Sequence, residues 1–272
     1  MRRLLTLLLL ALVTACSAPS AGSAPASPGV SAPAADRTVT LARPEGPREA
    51  LVVRPASVAP GAPLVVVMHG SGGTAQDMRS LGFDDLAARD GVVVAYPQGV
   101  GRTWNAGACC GRAASTGVDD VGYLSALVET LVGADGVDPR RVYAVGFSNG
   151  AMMSYTWACA GGALAGIGPV AGAVTGPCPS PTPVTVVAVA GTADDRVPLQ
   201  GRPERGWASL DATLAPFLTA DACGTGSTAT DGDSTRTTWA CGGRGVTREV
   251  LSGQGHAWPD TATALLWEQF AL

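Results

Sequence analysis

The stretch RRVYAVGFSNGAMMSY, residues 141–156, places a serine between two glycines directly after a run of apolar, strand-forming residues. The run 142–145 predicts a buried β-strand, and the residues after Gly150 predict a helix. The pentapeptide GFSNG at 146–150 fits the pattern Gly-x-Ser-x-Gly, whose glycines permit a sharp turn between a strand and a helix. We therefore predict a strained turn that exposes the hydroxyl of Ser148.

Other apolar runs recur along the chain, and helical patterns separate them. Short β-like segments at 38–41 and 50–54 precede them, and a last amphipathic helix is expected at 262–270. One helix should begin at Asp119 or Asp120, with apolar residues at three-to-four spacing. Alternation of strands and helices predicts an α/β fold with a mostly parallel sheet and helices on both faces. The predicted buried strands are 63–68, 92–96, 142–145 and 184–190.

Polar segments follow several of these strands. In a parallel sheet, the carboxyl ends of the strands meet at one edge, where ligands bind. The segments are HGSGG at 69–73, GFSNG at 146–150, GTAD at 191–194 and, late in the chain, GHAWP at 255–259. They are expected to converge on one site around the hydroxyl of Ser148.

A serine becomes a good nucleophile when a histidine, held by a carboxylate, removes its proton. The chain has two histidines, and His69 lies on the wrong side of Ser148 for the chain order Ser, Asp, His. His256 is therefore the predicted base and Asp194 the predicted orienting carboxylate. Asp195 is the alternative carboxylate, although its position favours a surface turn or an ion pair with Arg196.

Attack of an activated serine on a carbonyl carbon places negative charge on the carbonyl oxygen. Two backbone N–H groups are needed to stabilise this developing oxyanion. In this arrangement one donor is the residue after the nucleophile, which is Asn149, and the other comes from the glycine-rich loop after an early strand. We predict Ser71 as the second donor, with Gly70 as the alternative.

Composition limits the classes of function. The 272 residues are 46% hydrophobic and 15% charged, which fits one compact domain together with sequence that is removed or unfolded. The formal net charge of −4 gives no basic surface of the kind that binds nucleic acid. We expect a monomer without a cofactor or metal.

The N-terminal residues have the pattern of an export signal. Two arginines precede an apolar run that is too short to span a bilayer, which predicts a signal peptide at 1–15. Leu-Val-Thr-Ala-Cys at 12–16 resembles a lipobox, so Cys16 is the predicted lipidation site and the only contact with the membrane. Residues 16–37 are rich in Ser, Ala and Pro and predict a flexible tether. The predicted catalytic domain is 38–272, located at the cell surface or secreted.

Six cysteines remain after Cys16, an even number that predicts disulfides in an exported protein. Cys223 and Cys241 bracket a polar segment and are expected to pair. The adjacent Cys109 and Cys110 are expected to reach separate partners, Cys159 and Cys178.

Several further sequence motifs accompany the polar segments that follow the predicted strands. They are YPQG at 96–99, WNAG at 104–107, CCG at 109–111, VDDVGY at 118–123 and GHAWP at 255–259. From about His69 to the C-terminus, the chain resembles the secreted polyhydroxybutyrate depolymerase and feruloyl esterase family. The resemblance implies an α/β-hydrolase fold, hydrolysis of carboxylic esters, and a triad of Ser148, Asp194 and His256. Such proteins often read HGTADP where this chain has Ala190 in place of the histidine and Asp195 in place of the proline.

The expected substrate is a bulky or polymeric ester. About ten residues separate the apolar segment 169–174 from Val184, which leaves no room there for a large lid. The polar segment 201–243 is expected to form a wall of the cleft, and Trp104 and Trp258 to stack on an aromatic acyl group or a sugar. The alternatives are a secreted serine peptidase of the same fold and a non-catalytic surface-binding lipoprotein.

Overall fold

The computed structural model describes residues 35–272, which form ten strands and seven α-helices. The predicted signal peptide, Cys16 and nearly all of the predicted tether lie outside these residues. No helix between residues 35 and 272 combines the length and the apolar character that crossing a membrane requires. The strands are β1 (Ala35–Arg43), β2 (Gly46–Arg54), β3 (Ala62–Met68), β4 (Val93–Pro97), β5 (Val137–Phe147), β6 (Gly166–Val170), β7 (Thr185–Gly191), β8 (Ser227–Asp231), β9 (Ser234–Ala240) and β10 (Gly245–Leu251). The helices are α1 (Ala75–Arg79), α2 (Phe83–Asp90), α3 (Gly111–Ser115), α4 (Asp120–Asp135), α5 (Asn149–Cys159), α6 (Leu210–Ala220) and α7 (Ala262–Gln269).

All ten strands of the described part form one sheet, in the order β1-β2-β4-β3-β5-β6-β7-β10-β9-β8. The six strands from β4 to β10 in this order pair in parallel, and antiparallel strands extend the sheet at both edges. The prediction of a mostly parallel sheet is therefore confirmed. Strand β1 begins at Ala35, three residues before the β-like segment predicted at 38–41.

The sheet is buried on both faces. In β3, Leu64, Val66 and Met68 belong to one hydrophobic core, whereas Val65 and Val67 belong to a second core on the opposite face. Helices α4, α5 and α6 cover the first core, and α1, α2 and α7 cover the second. Because β3 is apolar on both faces, its sequence is a continuous run and does not alternate.

Helix α4 begins where its capping residue predicts. The side chain of Asp119 accepts a hydrogen bond from the N–H of Gly122 at 2.8 Å, which is the usual contact at the start of a helix. Leu127 is fully buried and Val128 is half-buried, so Leu127 is the residue of that turn that faces the core. Gly136 ends the helix at a φ of 68°, a conformation that favours glycine.

The disulfide prediction is partly wrong. Cys223 pairs with Cys241 as expected, but Cys109 pairs with Cys110. Cys159 lies at the end of α5 and bonds Cys178 in the connection between β6 and β7, with their Cα atoms 4.9 Å apart. Because Cys159 and Cys178 satisfy each other, they leave no partner for the adjacent pair. The sequence could not indicate this, since the fold brings the end of α5 to that connection.

Candidate active site

Ser148 lies at a sharp turn between β5 and α5, as predicted. Its φ of 53° and ψ of −116° are unusual for a residue other than glycine and indicate a strained backbone. The flanking residues must be glycines because neither position has room for a Cβ atom. A Cβ on Gly146 would meet the backbone of Gly150, and a Cβ on Gly150 would meet the carbonyl of Met68. The turn is thereby held between β3 and α5.

Three polar side chains from distant parts of the sequence form a hydrogen-bonded chain at this turn. The Nε2 atom of His256 lies 2.9 Å from the Oγ of Ser148, and its Nδ1 atom lies 2.8 Å from the Oδ2 of Asp194. The other oxygen of Asp194 accepts the N–H groups of Arg196 and Val197 at 2.9 and 2.8 Å. The Asp194 side chain is 1% exposed, and the His256 side chain is 8% exposed. The imidazole is therefore held in one orientation between a hydroxyl and a buried carboxylate.

Asp195, the alternative carboxylate, does not contact His256. It is exposed and lies in the lining of the cavity in front of Ser148. Its backbone carbonyl accepts a hydrogen bond from Arg202, and no ion pair with Arg196 is found among residues 35–272. Of the two neighbouring aspartates, the structure places only Asp194 against the imidazole.

The predicted oxyanion donors lie beside Ser148. Asn149 is the first residue of α5, so its N–H has no acceptor within the helix. Gly70 and Ser71 both line the cavity with Ser148. In the same loop, the N–H groups of Gly72 and Gly73 donate to backbone carbonyls. Those of Gly70 and Ser71 find no acceptor in the described part of the chain, so each has a donor to offer to an oxyanion at Ser148.

The side chain of Asn149 has a second role that sequence reasoning missed. Its Oδ1 accepts the N–H of Trp104 at 2.7 Å, and its Nδ2 donates to the carbonyl of the same residue at 3.0 Å. The side chain is thus paired with the backbone of Trp104 in the way that one strand pairs with another. This contact fixes the loop after β4 against the first turn of α5.

His69 is buried and holds two loops of the site together. Its Nδ1 lies 2.8 Å from the carbonyl oxygen of Gly70, and its Nε2 accepts the N–H of Gly99 at 3.0 Å. The side chain of Gln98 lies 2.9 Å from the same Nε2. This pattern requires a neutral imidazole with its proton on Nδ1, because Nε2 acts as an acceptor. Burial disfavours the charged form and lowers the pKa of His69.

The lowered pKa of His69 predicts a loss of stability in acid. Because the unfolded chain takes up this proton more readily, the contribution of His69 is complete above the ordinary pKa of 6.5 and is lost as the pH falls below it. We expect the free energy of unfolding to decrease less between pH 7.5 and pH 5 in His69→Gln than in the wild type, as measured by urea denaturation. An equal decrease in both proteins would contradict this assignment.

A cavity of about 490 Å³ opens in front of Ser148, which is within the range of small-molecule sites. Apolar groups line part of it, including Phe147, Met152 and the disulfide between Cys109 and Cys110. The remaining lining contains Trp207, Asp195 and three arginines, which are Arg196, Arg202 and Arg205. Sequence reasoning placed a wall of the cleft in the segment 201–243, but only residues between 202 and 207 of that segment line the cavity. Most of the rest forms α6 and the hairpin of β8 and β9 at the sheet edge.

Neither Trp104 nor Trp258, the two residues predicted to stack on substrate, lines this cavity, and the complete burial of Trp104 contradicts the prediction for that residue. The Trp104 side chain is completely buried, and its indole N–H donates to the carbonyl of His69 at 2.9 Å. Trp258 donates to Thr263 at 3.1 Å and packs at an angle against Phe83 and Phe147. Both indoles satisfy their N–H groups within the protein and stabilise the site from behind.

The VDDVGY segment at 118–123 anchors a loop next to the site. Asp120 is buried and accepts hydrogen bonds from Arg48 and from the backbone N–H of Asn105, both at 2.7 Å. The Arg48 guanidinium lies 4.0 Å from the ring centroid of Tyr123. Asp120 therefore anchors the loop that contains Trp104 to the start of α4. The two adjacent aspartates could be recognised in the sequence. Which of them is buried depends on how the first turn of α4 is oriented.

The sheet order, the turn at Ser148 and the residues that contact it define the α/β-hydrolase fold. An acetyl xylan esterase from Aspergillus awamori superposes with a TM-score of 0.68 at 17% identity, covering 86% of this chain and 99% of that protein. Esterase PE8 superposes with a TM-score of 0.55 at 19% identity. These similarities confirm the predicted fold.

The sequence relatives are esterases. A candidate esterase, NocK from Nocardia uniformis subsp. tsuyamanensis, is 38% identical over 146 residues, which are 52% of this chain and 42% of NocK. Feruloyl esterase B from Piromyces equi is 36% identical over 103 residues, which are 36% of this chain and 18% of that enzyme. The chain thus spans less than half the length of these relatives, and no protein-family model matches it. Over these segments the chain is similar in sequence to feruloyl and acetylxylan esterases, which agrees with the resemblance found from the sequence motifs.

Proposed function

We propose that the protein is a serine carboxylesterase. The observation that carries the proposal is the hydrogen-bonded chain from Ser148 through His256 to Asp194, with distances of 2.9 and 2.8 Å. His256 accepts the hydroxyl proton of Ser148 as the oxygen attacks the ester carbonyl carbon. Asp194 keeps the imidazole in the tautomer with its proton on Nδ1 and stabilises the cation that forms.

The negative charge on the carbonyl oxygen is stabilised by the N–H of Asn149 and by that of Ser71 or Gly70. Protonated His256 then gives its proton to the leaving alcohol, and the acyl group remains on Ser148. Water, activated by the same imidazole, hydrolyses this acyl-enzyme and restores the free serine.

Feruloyl, acetyl or hydroxyalkanoate esters of bulky alcohols are the substrates that we propose. Feruloyl esterase B supports the first, and a bifunctional acetylxylan esterase/xylanase from Neocallimastix patriciarum, 30% identical over 155 residues, supports the second. The residues between β6 and β7 support a site open to a large ester, because 171–184 contain no helix. We expect the purified protein to hydrolyse p-nitrophenyl acetate and at least one of methyl ferulate, acetylated xylan and hydroxybutyrate oligomers. A fluorophosphonate probe should label it.

The same panel tests the two rival functions. Cleavage of short peptides without ester hydrolysis would indicate a serine peptidase of this fold. Absence of both activities and of fluorophosphonate labelling would indicate a binding protein, because such a probe reacts only with an activated serine.

We also propose that the protein is a lipoprotein of the cell surface, attached through Cys16. The support is the sequence around Cys16 and the disulfides of the folded domain, which form in oxidising compartments. We expect Cys16→Ser to release the protein into the medium when cells are fractionated, whereas the wild type stays with the membrane. Retention of the variant in the membrane fraction would refute lipid attachment. An exposed control, Ser180→Ala, should fractionate like the wild type.

A further inference from the structure

Positive charge is concentrated in the cavity in front of Ser148. Its lining includes three arginines, which are Arg196, Arg202 and Arg205, and one exposed acidic residue, Asp195. The whole chain, in contrast, has a net charge of −4. The cationic lining is therefore a local property of the site and does not follow from the composition.

Arg202 has a structural role in this lining. Its Nε donates to the carbonyl of Arg196 at 3.0 Å, another of its nitrogens donates to the carbonyl of Asp195, and Glu204 lies 3.8 Å from it. These contacts fix the turn that follows Asp194. Arg202 thus holds the loop that carries Arg196, and its charge is partly balanced by Glu204.

The other two guanidinium groups are free to bind a ligand. Arg196 and Arg205 are both exposed, and neither forms an ion pair with a carboxylate anywhere in residues 35–272. Arg205 lies over the ring of Trp207, 5.3 Å from its centroid, so a cation–π contact holds it at the cavity wall. Arginine is well suited to bind carboxylates because its planar group donates two parallel hydrogen bonds.

We propose that the ester hydrolysed at Ser148 carries a carboxylate, which Arg196 and Arg205 bind. The proposal rests on the proposed esterase activity and adds a charge requirement for its substrate. The carboxylate can belong to the alcohol part or to the acyl part of the ester, and both positions place an anion in the same cavity. A neutral ester of the same size lacks this attraction and reacts with a lower kcat/KM.

Matched pairs of esters test the charge requirement. For the alcohol part, 3-acetoxybenzoate is compared with 3-acetoxybenzamide; for the acyl part, monomethyl adipate is compared with its primary amide. Each pair differs by one negative charge at nearly constant size. We expect the anion to have the higher kcat/KM in at least one pair, by about two- to fivefold for each guanidinium that it contacts. The preference should decrease in about 1 M NaCl, where the Debye length is about 3 Å.

Charge variants identify the arginines that provide the preference. Arg196→Gln and Arg205→Gln should each lower the ratio of the two kcat/KM values, and the double variant should bring it close to one. Arg205→Lys keeps the charge and should retain most of the preference. Arg244→Gln removes an equal charge from an exposed position outside the cavity lining and should leave the ratio unchanged.

The outcomes separate this proposal from the proposed function. Equal kcat/KM for anion and neutral ester in both pairs, with hydrolysis of all four esters, would overturn the charge requirement and leave the esterase intact. The same holds for an anion preference that the double variant keeps in full. Hydrolysis of p-nitrophenyl acetate but of none of the four esters would overturn the charge requirement alone, whereas absence of hydrolysis of all five would refute the esterase itself.

Discussion

Ser148→Ala is expected to lose ester hydrolysis almost completely, with kcat lowered by about 10⁵- to 10⁶-fold, while the protein stays folded. The hydroxyl oxygen is the atom that forms the acyl-enzyme, and no other hydroxyl of the site lies within hydrogen-bond distance of His256. The residual rate would come from the oxyanion donors and from binding. Release of p-nitrophenol from p-nitrophenyl acetate measures the effect.

The fold of the variant is checked separately, because Ser148 has a strained backbone. Its circular dichroism spectrum and thermal midpoint should match those of the wild type, since the side chain makes a single hydrogen bond in the site. Ser180→Ala, the same substitution at an exposed position, should have normal turnover. Turnover by Ser148→Ala at the wild-type rate would remove the serine mechanism.

Asp194→Asn is expected to lower kcat by about 10³- to 10⁴-fold with little change of structure. The carboxylate accepts the Nδ1 proton of His256, and an amide can present its NH2 group there and favour the wrong tautomer. The N–H groups of Arg196 and Val197 fix the other carboxylate oxygen, so the side chain cannot turn to compensate. Steady-state kinetics on p-nitrophenyl acetate provide the test.

Asp195→Asn is the matched control for this prediction. It removes the same charge from the adjacent residue, which is exposed and has no contact with His256. We expect a change in kcat of less than about tenfold, because an exposed charge interacts weakly with the reacting groups. Equal losses in the two variants would contradict the assignment of Asp194 as the orienting residue.

Local sequence patterns predicted the framework correctly. Continuous apolar runs such as 63–68 indicated strands buried on both faces, and the pair Asp119 and Asp120 indicated the start of α4. The glycines around Ser148 indicated the sharp turn, because a Cβ at either position would collide with backbone. The chain order of Ser148, Asp194 and His256 was sufficient to select one histidine of two.

Strand β10 was missed because its pattern is mixed. Its polar residues Thr247 and Glu249 are buried, and Glu249 accepts hydrogen bonds from Ser234 and Arg236 of the neighbouring strand. These partners lie on β9, so the sequence of β10 alone does not show how the burial of its polar residues is compensated. Strand pairing with β7 and β9 decides its conformation.

The sequence by itself determined the parallel sheet, the turn at Ser148 and two of the three residues that meet there, Ser148 and His256, whereas the structure chose Asp194 over Asp195. These features depend on periodicity, glycine conformation and residue order, which are all local or countable. Only the tertiary structure decided that Trp104 is buried behind the site, that Cys109 bonds Cys110, and that arginines line the cavity. Each of these depends on which loops the folded sheet brings together. The sequence of one loop does not specify which other loop it will contact.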